Sequence, residues 1–500
     1  MTLAHLPALQ VVAPLMAAPL CALLRAPLAA YLLTCAVAAV AAATAGWLLF
    51  TVTAGGAAVI TYALGGWAAP WGIEYRVDAL GAFVLVIVTG VNLVAVWFGR
   101  ASVMREVPRE RVFLFYTGWL LCLTGMLGIA VSGDVFNVFV FLEIASLASY
   151  FLVSMGRDRR ALSAAFRYLL LGTVGATFIL IAVGLLYQMT GTLNMADLAM
   201  RLPPLKESRT LQVAFAFLSV GVGLKAAVFP LHFWLPGAYT FAPSMVTVFL
   251  AGTSTKVSVY ILLRFFFSVI GADISFDALK LHWFLLPLAL AGIFAASIAA
   301  IYQNDVKRLL AFSSVAQVGY MILGVALASA AGLSAALVHL FNHALMKSAL
   351  FFTVACMVFR IGNSRLTDLA GLAKRMPLTA AALVVSGLSL IGFPFTAGFI
   401  SKWALLAAAL QSHGWWLALL VLASSLLAVV YMWRVVEALY CAPRAPATVE
   451  SQAMTVTEAP LPLLAGAWLL AAANVAFGLS TALSRGVAER AALLLFGGAP

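Results

Sequence analysis

Charge is the scarcest ingredient of this 500-residue chain: Asp, Glu, Lys and Arg make up 9% of it, against 64% hydrophobic residues. A soluble domain needs a polar shell around its core, and at a mean hydropathy of +1.08 there is nothing to build one from. Cysteine is sparse as well. Cys21, Cys35, Cys122, Cys356 and Cys441 lie far apart with no CxxC spacing, which argues against a thiolate-held cluster and a disulfide framework. Motifs for flavin, dinucleotide, haem or iron–sulfur binding are missing, so the chain is expected to hold no cofactor or metal and to be no redox catalyst itself. Long polar stretches are absent too, which leaves no room for a large soluble domain.

What is present is hydrophobic runs of about 20 residues, the length that crosses about 30 Å of hydrocarbon as a helix. They fall at 7-24, 28-52, 79-99, 112-132, 134-155, 163-188, 210-236, 242-266, 283-303, 308-328, 331-359, 378-410, 414-437 and 461-482. The predicted fold class is therefore all-α, a polytopic membrane protein of about fourteen transmembrane helices. The first run lacks a basic segment ahead of it and a clear cleavage site, and is expected to be retained. With the N-terminus outside, sixteen of the 29 Lys and Arg residues fall in cytoplasmic loops, Lys307 and Arg308 among them, and eight on the other side, Arg264 among those. Positive-inside bias thus places both termini outside, and the net charge of +12 needs no nucleic acid or other anionic partner.

Five charged residues, Glu143, Lys225, Lys256, Lys347 and Lys402, lie inside the hydrophobic runs, with Arg167 as a sixth. A charge at mid-membrane costs about 2.5 to 3.5 kcal/mol on insertion scales, so each calls for a partner, a hydrated cavity or a function. Several in one chain point to a proton path. Two stand beside prolines: Lys225 heads LKAAVFPLHFWLP, where Pro230 breaks the helix, and Lys402 closes IGFPFTAGFISKW, where Pro394 and Gly398 are expected to do the same. Broken helices at membrane depth free backbone groups and are the usual sites of ion handling in transporters. The broken runs are the seventh and twelfth. Their odd offset predicts an inverted repeat of two five-helix units, spans 4-8 and 9-13.

Four regions follow: 1-111, three helices with an external β-hairpin; 112-266, the first repeat; 267-437, the second; and 438-500, a linker and the last helix. The hairpin is read from ITYALGGWAAPWGIEYRVD, which alternates around Gly-Gly and Pro-Trp, and it serves either a neighbouring subunit or its own bundle. The segment from Ala438 to Pro460, rich in Pro, Thr and Ser, reads as a poorly ordered polar linker.

Five strings, GDVFNVFVFLEIASLASYFLVS, LKAAVFPLHFWLPGAYTFAPSMVTVFLAGTSTKVSVYILLR, NDVKRLLAFSSVAQVGYMILG, LVHLFNHALMKSALFF and GFPFTAGFISKW, carry a resemblance. The chain resembles the proton-translocating, antiporter-like subunits shared by respiratory complex I, membrane-bound hydrogenases and Mrp cation/proton antiporters, and within them it is most similar to the Mrp D-type branch. The resemblance implies a proton relay. Glu143 would pair with Lys225, Lys256 would be the central lysine, His339 or His343 with Lys347 would continue the axis, and Lys402 would end it. Arg167 stands where relatives commonly have lysine, and an arginine biases a field but cannot relay a proton as lysine does.

The side-chain chemistry agrees. Burial disfavours a charged amine and a nearby carboxylate favours it, so a Glu–Lys pair that separates and re-forms is a switch. Histidines 339 and 343, with Lys347, are spaced to share one helix face. Competing readings stand beside each role: a static Glu143–Lys225 ion pair, a snorkelling Lys347, His339 and His343 as interhelical hydrogen-bonders, His232 as a group satisfying the broken helix, and Asp134 and Arg167 as interface or charge-balancing residues. His5, His282 and His413, at span ends, are given no role.

The resemblance implies a subunit of a multisubunit Na+/proton antiporter in a bacterial inner membrane, with other membrane subunits, protons, a monovalent cation and lipid as partners. The alternatives are the proton-pumping module of a complex I-like NADH:quinone oxidoreductase or a membrane-bound hydrogenase, and a membrane partner in proton-coupled carbon uptake.

Overall fold

In the computed structural model, which describes residues 5–55, 58–441 and 457–496, the chain is a bundle of eighteen helices with one small hairpin. Helices α1 (Leu6–Leu24) and α2 (Pro27–Thr53) lead into strands β1 (Val59–Ala63) and β2 (Glu74–Asp78), then α3 (Ala79–Glu106). The strands pair antiparallel from Val59 with Asp78 to Ala63 with Glu74, the hairpin that the alternation predicts. Next come α4 (Val112–Val131), α5 (Val135–Ser154), α6 (Arg160–Thr190), the short α7 (Met195–Arg201), α8 (Arg209–Lys225), α9 (Trp234–Phe241) and α10 (Ser244–Leu263). The second half holds α11 (His282–Ile301), α12 (Val306–Ala326), α13 (Ala330–Ile361), α14 (Pro377–Ile391), α15 (Ala397–His413) and α16 (Trp415–Tyr440), closed by α17 (Leu461–Leu479) and α18 (Ala482–Leu495).

Twelve of the described helices are long and apolar enough to cross a membrane. The seventh and twelfth expected runs are each two shorter helices, α8 with α9 and α14 with α15, so continuous spans do not reach the expected fourteen. At the first break Ala227 adopts a φ of 56°; at the second, Gly392 at 93° and Phe395 at 67° turn the chain. Pro230 and Pro394 both lie in these turns, as the sequence predicts. Gly398 does not. It sits in the first turn of α15, where a Cβ would come 1.7 Å from the Ser389 carbonyl oxygen of α14, so its role is close approach rather than breakage.

One gap between expected runs is partly helical, and one helix is unexpected. Between α10 and α11, Arg264–Val269 and Asp273–Ala278 form helical turns of the wide, π type, and an unexpected α18 follows α17. The predicted linker falls mostly on residues 442–456, outside the described residues, but Glu458 near its end is held firmly. Its carboxylate accepts from the Leu378 and Thr379 amides at 2.6 and 3.3 Å and from Thr379 Oγ1, capping α14.

An internal repeat is written into backbone hydrogen bonds. Val135 N donates to Leu193 O and Met195 N to Gly133 O, both at 2.9 Å; Val306 N donates to Ser364 O at 2.8 Å and Leu366 N to Asn304 O at 2.9 Å. Each second-half position is the first-half position plus 171 (135 and 306, 193 and 364). In both halves an Asp-Val pair makes this possible. Asp134 caps α5 by accepting from Asn137 N at 2.8 Å, and Asp305 caps α12 by accepting from Arg308 N at 3.0 Å. Both aspartates are extended and bridged to a distant strand-like residue.

Burial follows the demands of charge. Helices α10 and α12 are buried almost all round, while α6 exposes Leu162, Phe166, Leu170 and Val174 along one stripe, the pattern of a lipid-facing helix. Of the expected relay, Lys256 lies on α10, and His339, His343 and Lys347 lie on the largely buried α13.

Candidate relay of buried ionisable residues

Lys225 is the last residue of α8, and the break leaves its amine at the negative end of a half-helix, where a cation is favoured. Its Nζ lies 2.9 Å from Glu143 Oε1 on α5 and donates to Ser146 Oγ at 2.8 Å. Tyr150, one helical turn on, brings its hydroxyl to 3.4 Å. The lysine side chain is 5% exposed and the glutamate 25%, so one partner is buried in the bundle and the other reaches its surface. The expected pair therefore exists, and three α5 residues at spacing 143, 146 and 150 build its acceptor face.

From this pair the polar surface continues toward α10. Tyr150 packs edge-on against Tyr168 of α6, which stacks on Trp234 with ring centroids 4.0 Å apart. A cavity of about 30 Å³ is lined by Lys225, Ser146, Ser149, Tyr168, Ser254 and Ser258, room for about one water between the pair and α10. On α10, Lys256 is fully buried; its Nζ donates to Ala251 O of its own helix, and Thr255 Oγ1 lies at 3.3 Å.

Gly252, one turn before Lys256, explains how α10 meets α13. A Cβ there would come 2.2 Å from Ser348 Oγ and 2.7 Å from Val91 Cγ1, so a larger residue would have to push both side chains aside. Across the contact stand His343 and Lys347, both fully buried and both within electrostatic reach of Lys256. Lys347 Nζ donates to Leu310 O of α12 at 2.9 Å and to Ser313 Oγ. It is anchored at depth, which rules out the snorkelling reading.

The two histidines of α13 are parallel, with ring centroids 6.0 Å apart, and His339 Nδ1 meets Ser401 Oγ of α15 at 2.9 Å. Ser401 is the neighbour of Lys402. The Lys402 amine donates to Leu390 O at 3.1 Å and Ile391 O at 2.9 Å, carbonyls freed where α14 ends, and sits 5.3 Å above the Tyr320 ring. Both break-associated lysines thus lie at the carboxyl end of a half-helix. Among the described residues only the first has a carboxylate partner: the repeat offset places Ser314 where the first half has Glu143.

Other expected residues fall outside this line. His232 lies in the first break, stacked between Phe229 and Phe233, buried but packed on aromatic rings. Asp134 is the α5 cap already described, and burial pushes its carboxyl above the usual range, with the Asn137 and Phe136 amides pulling the other way. Arg167 is exposed on the outer face of α6, because that helix buries Ala164, Ala165 and Tyr168 instead. It joins no part of the buried line.

Sequence reasoning missed two buried cations by assigning them to loops. Arg264 ends α10 and is held by Asp78, the α3 cap, through two hydrogen bonds, one of them 2.6 Å long, while its Nε donates to Tyr260 OH at 3.0 Å. Burial pushes the Asp78 carboxyl up, but the Arg264 guanidinium more than offsets it and holds the group below the usual carboxylate range. Lys307, in the first turn of α12, is only 5% exposed. The Asp-Val string before it, shared by both halves, was the available signal.

Known proteins share this fold. Residues 132–428 match the family described as NADH:quinone oxidoreductase/Mrp antiporter, TM. The N-type subunit of a NADH-quinone oxidoreductase of Desulforudis audaxviator is 44% identical over 87% of both chains. The D-type subunit of a Na(+)/H(+) antiporter of Alkalihalophilus pseudofirmus is 32% identical over 74% of both. Among solved structures, a chain of the Mrp complex from Dietzia sp. DQ12-45-1b superposes with a TM-score of 0.89 at 27% identity, covering 99% of this chain and 98% of that one.

Proposed function

Because the chain belongs to the NADH:quinone oxidoreductase/Mrp antiporter transmembrane family, we propose that it is the proton-translocating subunit of a multisubunit Na+/proton antiporter. The proton passes along Glu143, Lys225, Lys256, Lys347, His343, His339 and Lys402, taken in spatial order. The observation that carries this reading is the Glu143–Lys225 pair, placed at a helix end inside the bundle. Such a pair can separate and re-form, and each state sets the charge that the next lysine feels. His232 stays a secondary group at the break, and Asp134 acts by holding α5 in place. The two units of the relay are 112-266 and 267-437, flanked by 1-111 and 438-500.

The face lined by Arg105, Arg157, Arg160 and Arg365 is cytoplasmic in a bacterial inner membrane, which leaves both termini outside. Other membrane subunits complete the machine, as in the multisubunit Mrp complex to which the superposed chain belongs. The NADH-quinone oxidoreductase relative at 44% identity supports a second reading, in which the same relay is driven by electron transfer in partner subunits.

One experiment separates the two. The intact complex is isolated, its subunits are identified, and dye-reported proton movement is followed in everted vesicles. Movement driven by a Na+ gradient without NADH supports the antiporter; movement only on adding NADH supports the second reading. In either case Lys402→Ala should abolish transport while the subunit still assembles. Normal transport in that variant removes Lys402 from the path.

A further inference from the structure

Lys402 carries its charge without the help that Lys225 has. Among the described residues no carboxylate oxygen lies within ion-pairing distance of its amine, and the residue is buried. Two of the three ammonium hydrogens have acceptors in Leu390 O at 3.1 Å and Ile391 O at 2.9 Å. A further attraction comes from an aromatic face. Nζ lies 5.3 Å from the centroid of the Tyr320 ring, inside the range of about 6 Å over which such a face draws a cation. In the first half a tyrosine also flanks the break lysine, Tyr150 at 6.0 Å from Lys225 Nζ, but there Glu143 supplies a full charge at 2.9 Å.

Tyr320 is fully buried on α12, and its hydroxyl meets Ser424 Oγ of α16 at 2.6 Å. Ser424 gives its one hydroxyl hydrogen to Val421 O at 2.8 Å, so in the bond between the two the tyrosine is the donor. The far end of the ring is thereby pinned to α16. Its body packs on His339 of α13, with centroids 5.6 Å apart and planes inclined by 58°. His339 itself lies within electrostatic reach of Lys402. One ring therefore lies against both the histidine and the lysine at the end of the line.

We propose that Tyr320 is a positioning residue of the relay, its ring face stabilising the protonated Lys402 amine in the place that Glu143 holds beside Lys225. The phenol keeps its own proton throughout. It anchors the ring and is no link in the chain of transfers. Without the ring face an ammonium at membrane depth would have two carbonyls alone, so fewer protons would be taken up there and transport would slow. This inference rests on the reading in which Lys402 ends the relay.

The test uses the assembled complex in everted vesicles with Tyr320→Phe, Tyr320→Leu and a series in which phenylalanines bearing one, two and three ring fluorines are incorporated at residue 320. Fluorine withdraws negative charge from the ring face while hardly changing its shape, so the series separates electrostatics from packing. Tyr320→Phe keeps the face and gives up only the Ser424 bond, so its proton movement, normalised to subunit abundance, should stay within about threefold of wild type. Tyr320→Leu should run roughly tenfold or more below wild type, and each added fluorine should slow transport further relative to Tyr320→Phe. A series with no trend overturns the inference, as does Tyr320→Phe as slow as Tyr320→Leu or unable to assemble, or a wild-type rate in Tyr320→Leu. Should Tyr320→Leu fail to assemble, the fluorine series, which preserves volume, decides alone. Lys402→Ala is measured beside them. Normal transport there ends the relay reading itself, whereas an inactive Lys402→Ala with a flat fluorine series removes Tyr320 alone.

Discussion

Glu143→Gln is the most informative single change, because it removes one charge and little else. The amide keeps the shape, and Lys225 keeps Ser146 Oγ at 2.8 Å and Tyr150 OH at 3.4 Å. What disappears is an attraction across 2.9 Å, worth about 6 kcal/mol at an effective dielectric of about 20. Relaxation around the remaining lysine, which keeps Ser146 and Tyr150, brings the cost to about 3 to 5 kcal/mol, the usual range for removing one partner from a buried pair. If every proton crosses this site, the loss corresponds to about two to three and a half decades in rate. If the pair is only a brace, the same energy shows as lost thermal stability and the surviving complexes transport normally. Dye quenching in everted vesicles, normalised to subunit abundance, distinguishes the outcomes. The double variant Glu143→Leu with Lys225→Met sharpens the contrast, since apolar pairs often replace buried ion pairs without loss of stability. Assembly with at least hundredfold slower transport is expected, and wild-type transport in either variant would refute the reasoning.

Two further outcomes follow from the architecture. Gly398→Ala places a Cβ against the Ser389 carbonyl oxygen, a backbone atom that cannot swing aside, so α14 and α15 must part and draw Lys402 from its carbonyls. Subunit abundance and transport should both fall, with an overpacking cost of about 1 to 3 kcal/mol or more; wild-type values for both would mean that the half-helices slide freely. Asp78→Asn preserves the cap on Gly81 but strips Arg264 of its counter-charge, costing about 3 to 5 kcal/mol at pH 7 in the melting of the purified complex. Because the Asp78 carboxyl is held low in the fold, its contribution is present above the unfolded value of about 3.9 and disappears as pH falls through the folded one. The gap between wild type and Asp78→Asn should therefore close only below about pH 4, and a gap that closes at higher pH would contradict the pairing.

Much was decided by the sequence alone, because membranes impose rules that act residue by residue. Scarcity of charge excludes a soluble fold, run length sets the spans, and a charge left inside a run must have a reason. Glu143, Lys225, Lys256, Lys347 and Lys402 stood out on that ground, and Pro230 and Pro394 marked the two breaks. The two breaks announced an internal repeat, and matched hydrogen bonds recur around Asp134 and Asp305. Depth and facing were not legible, since both depend on how helices pack. Arg167 lies within an apolar run yet on the outer side of α6, whereas Lys307 and Arg264 lie at run ends yet inside the bundle. Gly252 and Gly398 reveal themselves only in three dimensions, for a missing Cβ matters where another helix presses against it. Local hydrophobicity fixes which segments enter the bilayer; only the contacts between helices decide which charges meet.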